Sequence, residues 1–233
     1  MTLTLDLHLP RRRDLGSWAL FSGDGRYRHM LRRRWGMGPL VGWIGLNPST
    51  ASGHREDATS RRFHSFSAGF GFSGYTVANL YDAVSTDPRR IAYMADPRSP
   101  VNDLYLNWLA AVHDLIVFAW GAGADPAHAR AVASRIWQSR VRRGGSVAVL
   151  GWTANGQPRH PLYLRSDTPL HTLTAGHPGG FVDVDGRWSQ LLADPTGLDE
   201  DPRSQNRSPR CSASPSGLSE PLLVPYRTGV PTS

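Results

Sequence analysis

Four short, mostly apolar runs dominate the chain: residues 40–46 (LVGWIGL), 75–80 (YTVANL), 115–120 (LIVFAW) and 146–151 (SVAVLG). A strand that is apolar at consecutive positions must be covered on both faces, which is the condition of a strand inside a parallel sheet. The stretches between the runs are long enough for helices and carry their signals. Asp57 stands where an N-cap belongs, ahead of Phe63, Phe66 and Phe70 on one helical face. Ser99-Pro100 opens a second helix, with Val101, Leu104, Tyr105, Trp108, Leu109 and Val112 on one side. Asp125-Pro126 opens a third, which runs to about Arg143 with Val132, Ile136 and Trp137 inward and Gly144 as its stop. Strands alternating with helices imply right-handed crossovers and an α/β three-layer sandwich, a mainly parallel four-stranded sheet with helices on both faces. Residues 17–21 and 26–35, turning at Gly23-Asp24-Gly25, add an N-terminal β-hairpin extension.

A single domain is expected over residues 1–194. From residue 195 the composition changes, with seven prolines and seven serines in residues 195–233, and this segment reads as a disordered tail. There is no internal repeat.

Composition removes several classes of chemistry. All 26 basic residues are arginine. Without lysine there is no Walker-type phosphate loop and no lysine Schiff base. Cys211 is the only cysteine, which excludes an intrachain disulfide and a cysteine-based zinc or iron–sulfur site. No apolar run reaches the length of a membrane span, and the first residues lack the charge order of a secretory signal, so a cytoplasmic protein is expected. The nucleophile elbow, the zinc-protease helix motif and the zinc-deaminase signature are missing, and Gly121-Ala122-Gly123 is too short for a dinucleotide fingerprint. His54 and His64 flank Asp57 but make a weak case for a metal; neither metal nor cofactor is expected. The formal charge is +7, and residues 1–36 carry eight arginines against three aspartates, a local net of +5. A basic face of this kind suits a polyanion, nucleic acid first, and equally a solvated arginine surface.

In a parallel α/β sheet the site lies beyond the carboxyl ends of the strands. The first run ends in Gly45-Leu46-Asn47-Pro48-Ser49-Thr50-Ala51, the second in Asn79, the third in Trp120-Gly121, and the fourth leads to Gln157-Pro158-Arg159-His160-Pro161-Leu162-Tyr163. Asn47, Asn79 and His160 are thereby expected at one edge. Two amides and an imidazole can read the rim of a planar, amide-bearing ligand such as a nucleobase. Ser49 and Thr50 offer hydroxyl and backbone donors beside them.

Tyr27-Arg28, Asn47-Pro48-Ser49-Thr50-Ala51, Asp57-Ala58-Thr59, Asn79-Leu80-Tyr81, Thr86-Asp87-Pro88, Trp120-Gly121 and the run from Gly156 to Tyr163 follow one another in an order that resembles the bacterial domain-of-unknown-function family 1643, from about Gly16 to about Leu164. That resemblance implies no activity. A remoter one does: Gly45-Leu46-Asn47-Pro48, Asn79, Trp120-Gly121 and His160-Pro161 are similar in order to the motifs of the uracil-DNA glycosylase superfamily. It implies that Asn47 holds the attacking water, that Asn79 reads the base with Trp120 beside it, and that His160 stabilises the departing base. It further implies that Ser49, Thr50 and Arg159 meet nucleic acid, DNA in the first place, and that Leu162 or Tyr163 enters the duplex as a wedge. The water-holding position is asparagine rather than aspartate, and leucine stands where a serine is expected after His160-Pro161.

Three readings follow. One is a monofunctional base-excising hydrolase acting on uracil or a modified base. Another is a nucleic-acid or nucleotide-binding module without catalysis. The third is an enzyme on a small nucleotide or another anion, with Asn47 to Ala51 and a helix start near Asp57 forming an anion nest; a carboxylate at that helix start repels an anion and argues mildly against it. The oligomeric state is not legible.

Overall fold

The computed structural model describes residues 16–49, 57–174 and 185–192. Thr50, His54 and the segment from residue 195 lie outside these residues.

The four apolar runs form β3 (Leu40–Gly45), β4 (Gly74–Asn79), β5 (Leu115–Phe118) and β6 (Ser146–Val149). They pair in parallel in the order β4-β3-β5-β6. Between them run α1 (Ala58–Gly69), α2 (Asn102–Val112) and α3 (Pro126–Val141). The chain leaves β3 in one direction to reach β4, then turns back past β3 to reach β5 and goes on to β6, so three crossovers of one hand put α1 on one face and α2 and α3 on the other.

The side-chain alternation of the strands sorts two cores. Val41, Trp43, Tyr75, Val77, Val117 and Ala148 face Phe63 and Phe66 of α1. Ile44, Ala78, Ile116, Phe118, Val147 and Val149 face Leu106 and Leu109 of α2 and Val132 and Ile136 of α3. This double burial is the reason the strands read as continuous apolar runs.

The sheet itself is larger and less parallel than expected. Among the described residues it is a mixed sheet of seven strands, in the order β1 (Trp18–Phe21), β2 (Arg28–Arg34), β4, β3, β5, β6, β7 (His171–Thr174). The hairpin of β1 and β2 is no extension: β2 pairs antiparallel with β4 and continues the sheet. At the other edge β7 runs antiparallel to β6. It escapes sequence reading because it buries only Leu173. A short helix α4 (Gly186–Leu192) adds Trp188, Leu191 and Leu192 to the α2/α3 core.

Local signals held at two of the three long helices. The Asp57 side chain accepts from the Ser60 amide at 2.6 Å while the Ser60 hydroxyl accepts from the Asp57 amide at 2.8 Å, a capping box. Asp125 accepts from the His128 amide at 2.7 Å, and Gly144 takes a φ of +67° just beyond α3. α2 departs from expectation. Ser99 does not cap it: its amide and hydroxyl both bind the carboxylate of Asp82, and the helix begins at Asn102. Its inward face carries Asn102, Leu106, Leu109 and Ala110, whereas Val101, Leu104 and Val112 are exposed. Asn102 turns inward because its amide donates to the carbonyls of Asn79 at 3.2 Å and Leu80 at 3.0 Å, which satisfies the backbone where β4 ends.

Candidate functional site

The ends of β3 and β4 stay in register beyond their last ladder bonds: Gly45 lies opposite Asn79, Leu80 donates to the Gly45 carbonyl and Tyr81 to that of Leu46, both at 2.9 Å. A Cβ at Gly45 would sit 2.7 Å from Oδ1 of Asn79, so only glycine leaves room for that side chain. Asn79 is 3% exposed, and its Nδ2 has no hydrogen-bond partner among the described residues. A buried amide donor without a partner costs about 1–3 kcal/mol and marks a place built for something else to fill.

Asn47 is held differently. Its Nδ2 donates to the carbonyls of Ser85 at 2.9 Å and Pro48 at 3.1 Å, which uses both protons and leaves Oδ1 as the atom it can offer.

His160 arrives from the far side of the sheet on a loop pinned at several points. The Trp120 indole donates to Oε1 of Gln157 at 2.8 Å, and the Gly121 amide donates to the Pro158 carbonyl at 2.8 Å. Gly121 has a φ of +77°, and a Cβ there would stand 3.1 Å from that of His160. Arg62 of α1 donates to the carbonyls of Pro161 and Leu164 and ties the loop to the helix that Asp57 caps. The Leu162 amide points at Nδ1 of His160 at 3.3 Å. Burial pushes the imidazole down to about 4, against the pull of nearby Asp57. The ring is therefore neutral at pH 7, accepts at Nδ1, and carries its proton on Nε2 as a donor.

Asn47, Asn79 and His160 line one pocket at the carboxyl edge of the sheet, a small cleft that opens to solvent. Ser49 lines it too, with a buried hydroxyl lacking a partner among the described residues. Gly45, Leu46, Thr59, Ser60 and Phe63 complete the wall together with its two charged residues, Arg28 and Asp57, neither of which was named as a site residue from the sequence. Arg28 is 4% exposed; burial pushes its guanidinium down to about 10, opposed by the charge of Asp57, so it remains a cation. By charge it was one of eight arginines in residues 1–36, and its place in the Tyr27-Arg28 pair was the one signal that set it apart. It reaches the pocket because β2 runs antiparallel, so that its first residue meets the last residues of the parallel strands.

Other expected site residues stand apart. Trp120 is 1% exposed, packs in the α2/α3 core against Phe118 and does not line the pocket; it reaches the site only through the loop it holds. Arg159 is exposed and Leu162 half-buried, and Tyr163 is 87% exposed, three positions after His160. Thr50 lies outside the described residues. His64 packs its ring against Trp35 with centroids 4.1 Å apart, and among the described residues no group of three His, Cys, Asp or Glu side chains is placed to hold a metal. Among the same residues no helix is long and apolar enough to cross a membrane.

No curated protein and no solved structure matches the chain. One family does, over residues 28–162, a span that begins at the buried arginine of the pocket and ends just past His160. The chain belongs to that family, described as "Protein of unknown function (DUF1643)".

Proposed function

We propose that the pocket hydrolyses the N-glycosidic bond of uracil or a modified base in nucleic acid, DNA in the first place, and leaves an abasic site. The observation that carries this reading is the pairing, in one pocket, of a buried Asn79 amide donor that has no partner among the described residues with His160, whose Nδ1 faces the Leu162 amide and so leaves Nε2 as the nitrogen to donate. Glycosidic cleavage leaves a cationic sugar and an anionic base, and it needs preorganised donors aimed at the base oxygen. A neutral imidazole supplies such a donor without surrendering its proton. Asn79 reads the base edge, and Oδ1 of Asn47 orients the attacking water. The order of these motifs, similar to that of the uracil-DNA glycosylase superfamily, supports the same assignment. Ser49, Thr50 and Arg159 meet the phosphates, and Tyr163, solvent-exposed beside the pocket loop, is the better wedge of the pair Leu162 and Tyr163. With no lysine in the chain, no lysine-based lyase step follows. The lone Cys211 suits a reducing compartment, and a cytoplasmic location goes with this reading.

The buried cation of Arg28 favours a second reading, a nucleic-acid or nucleotide-binding module on the same fold without catalysis. Incubating the protein with single- and double-stranded oligonucleotides carrying different bases, followed by hot alkali, separates the two. Strand breaks at one base support hydrolysis. Salt-dependent retention without breaks supports the module.

A further inference from the structure

The attacking water has to lose a proton, and Asn47 cannot take it: an amide does not ionise, and both its N–H bonds are committed to backbone carbonyls. His160 cannot take it either, since Nδ1 faces the Leu162 amide and Nε2 already bears hydrogen. Among the described residues that line the pocket, Asp57 is the only carboxylate.

Its place is fixed by the capping box. Oδ1 accepts the Ser60 amide, which leaves Oδ2 with no part in the cap. Ser60 is itself buried and its carbonyl accepts from the Tyr75 hydroxyl at 3.1 Å, so the first turn of α1 cannot drift. The carboxylate lies within electrostatic reach of both Arg28 and His160, since it is the charge that resists the depression of each. Asn79, 3% exposed and with no partner for its Nδ2 among the described residues, lines the same pocket and marks it as a place for a ligand.

We propose that Asp57 is the general base of this pocket, taking the proton of the water that Asn47 aligns; the inference rests on the glycosidic reading above. In the step, the water oxygen forms its bond to C1′ of the sugar. The C1′–N bond breaks and its electron pair leaves with the base, whose oxygen the Nε2–H of His160 supports. One water proton passes to the Asp57 carboxylate and on to solvent, and the anionic base takes a proton from solvent. The same negative charge faces the cationic sugar as the bond opens, which gives the carboxylate a second use. A cap that serves the fold alone would need only an acceptor at this position; a base needs an ionisable one.

That difference defines the test, because asparagine and serine cap helices about as well as aspartate. Asp57→Asn and Asp57→Ser are compared with the parent for melting, for single-turnover excision, and for affinity toward two oligonucleotides, one with a protonated pyrrolidine and one with a neutral tetrahydrofuran in place of the target nucleoside. The expected result is a folded protein whose melting falls alike in both variants as Arg28 loses a nearby counter-charge, excision per folded molecule slower by about a hundred- to a thousand-fold, and loss of about tenfold or more of the preference for the cationic over the neutral analogue. If the parent excises a base and Asp57→Asn excises it at the same rate, Asp57 is only a cap, while the function of the pocket stands. A parent that excises nothing and binds neither analogue overturns the function, and the role of Asp57 with it.

Discussion

His113 and His160 sit at opposite ends of the same sheet, and burial pushes both down to about 4. His113 precedes β5 at its amino end. It is 4% exposed, Arg140 donates to its carbonyl, the charges of Arg32 and Arg140 add to its depression, and its Nε2 has no partner among the described residues. His160 follows β6 at the carboxyl end, is half-buried, and lines a pocket beside a carboxylate that resists its depression. The same titration behaviour thus arises from an enclosed packing position and from a presented donor. A depressed histidine becomes a functional group through what its free nitrogen faces.

The largest effects should separate the two. His160→Ala is expected to lower turnover by about a hundred- to a thousand-fold, the scale of losing one preorganised donor, with little change in melting or in DNA affinity. His113→Ala is expected to lower stability by about 1–3 kcal/mol and to leave turnover per folded molecule unchanged. Paired melts and single-turnover rates check this, and a His160→Ala protein that melts well below the parent would turn the contrast into two structural histidines.

Gly45→Ala sharpens the carboxyl-edge half of the comparison. The new Cβ would fall 2.7 Å from Oδ1 of Asn79 and must displace it. Turnover should fall about tenfold, with a stability loss of about 1–3 kcal/mol. Retained turnover would mean that the seat of Asn79 does not matter to the chemistry.

Acid titration probes the other half. The folded state binds fewer protons than the unfolded one wherever pH lies between about 4 and the ordinary histidine value of 6.5. The stability due to a neutral His113 is therefore whole above pH 6.5 and is lost as pH falls toward 4, by about 3 kcal/mol at most. A His113→Leu protein should show a flatter stability profile across that window, followed by denaturant melts at stepped pH. An unchanged slope would assign the acid loss to other groups.

Among the changes at the carboxyl edge, Trp120→Phe has the smallest expected effect on chemistry. It removes the bond to Oε1 of Gln157 and leaves that buried amide short of a donor, at about 1–3 kcal/mol. Turnover should fall only a few-fold, through the loop that carries His160. A tenfold loss of oligonucleotide affinity at unchanged stability would instead make Trp120 a base-stacking residue.

Much of this was legible because of double burial. Only strands covered on both faces read as unbroken apolar runs, so β3 to β6 and the edge beyond them could be named, and with them Asn47, Asn79 and His160. The aspartate caps of α1 and α3 were legible because they act on their own first turns. The rest depends on contacts far apart in sequence. β7 has one buried residue and no pattern. The inward face of α2 is set by Asn102 bonding to the end of β4 rather than by its apolar count. By charge Arg28 looks like any surface arginine until the hairpin joins the sheet. Asp57 read as a cap because it is one; the sequence placed its helix start beside residues 47–51 as one arm of an anion nest, but assigned the carboxylate no part in the chemistry.

The most direct measurement of the central claim is the identity of the products. The parent is incubated with defined oligonucleotides, each carrying a single uracil, hypoxanthine, thymine or oxidised base, and the mixture is resolved by mass spectrometry. The account predicts a free base together with an oligonucleotide that has gained water in its place, with an intact backbone before alkali and a yield that collapses in His160→Ala. Unchanged oligonucleotides throughout, or a yield equal in parent and mutant, would contradict it.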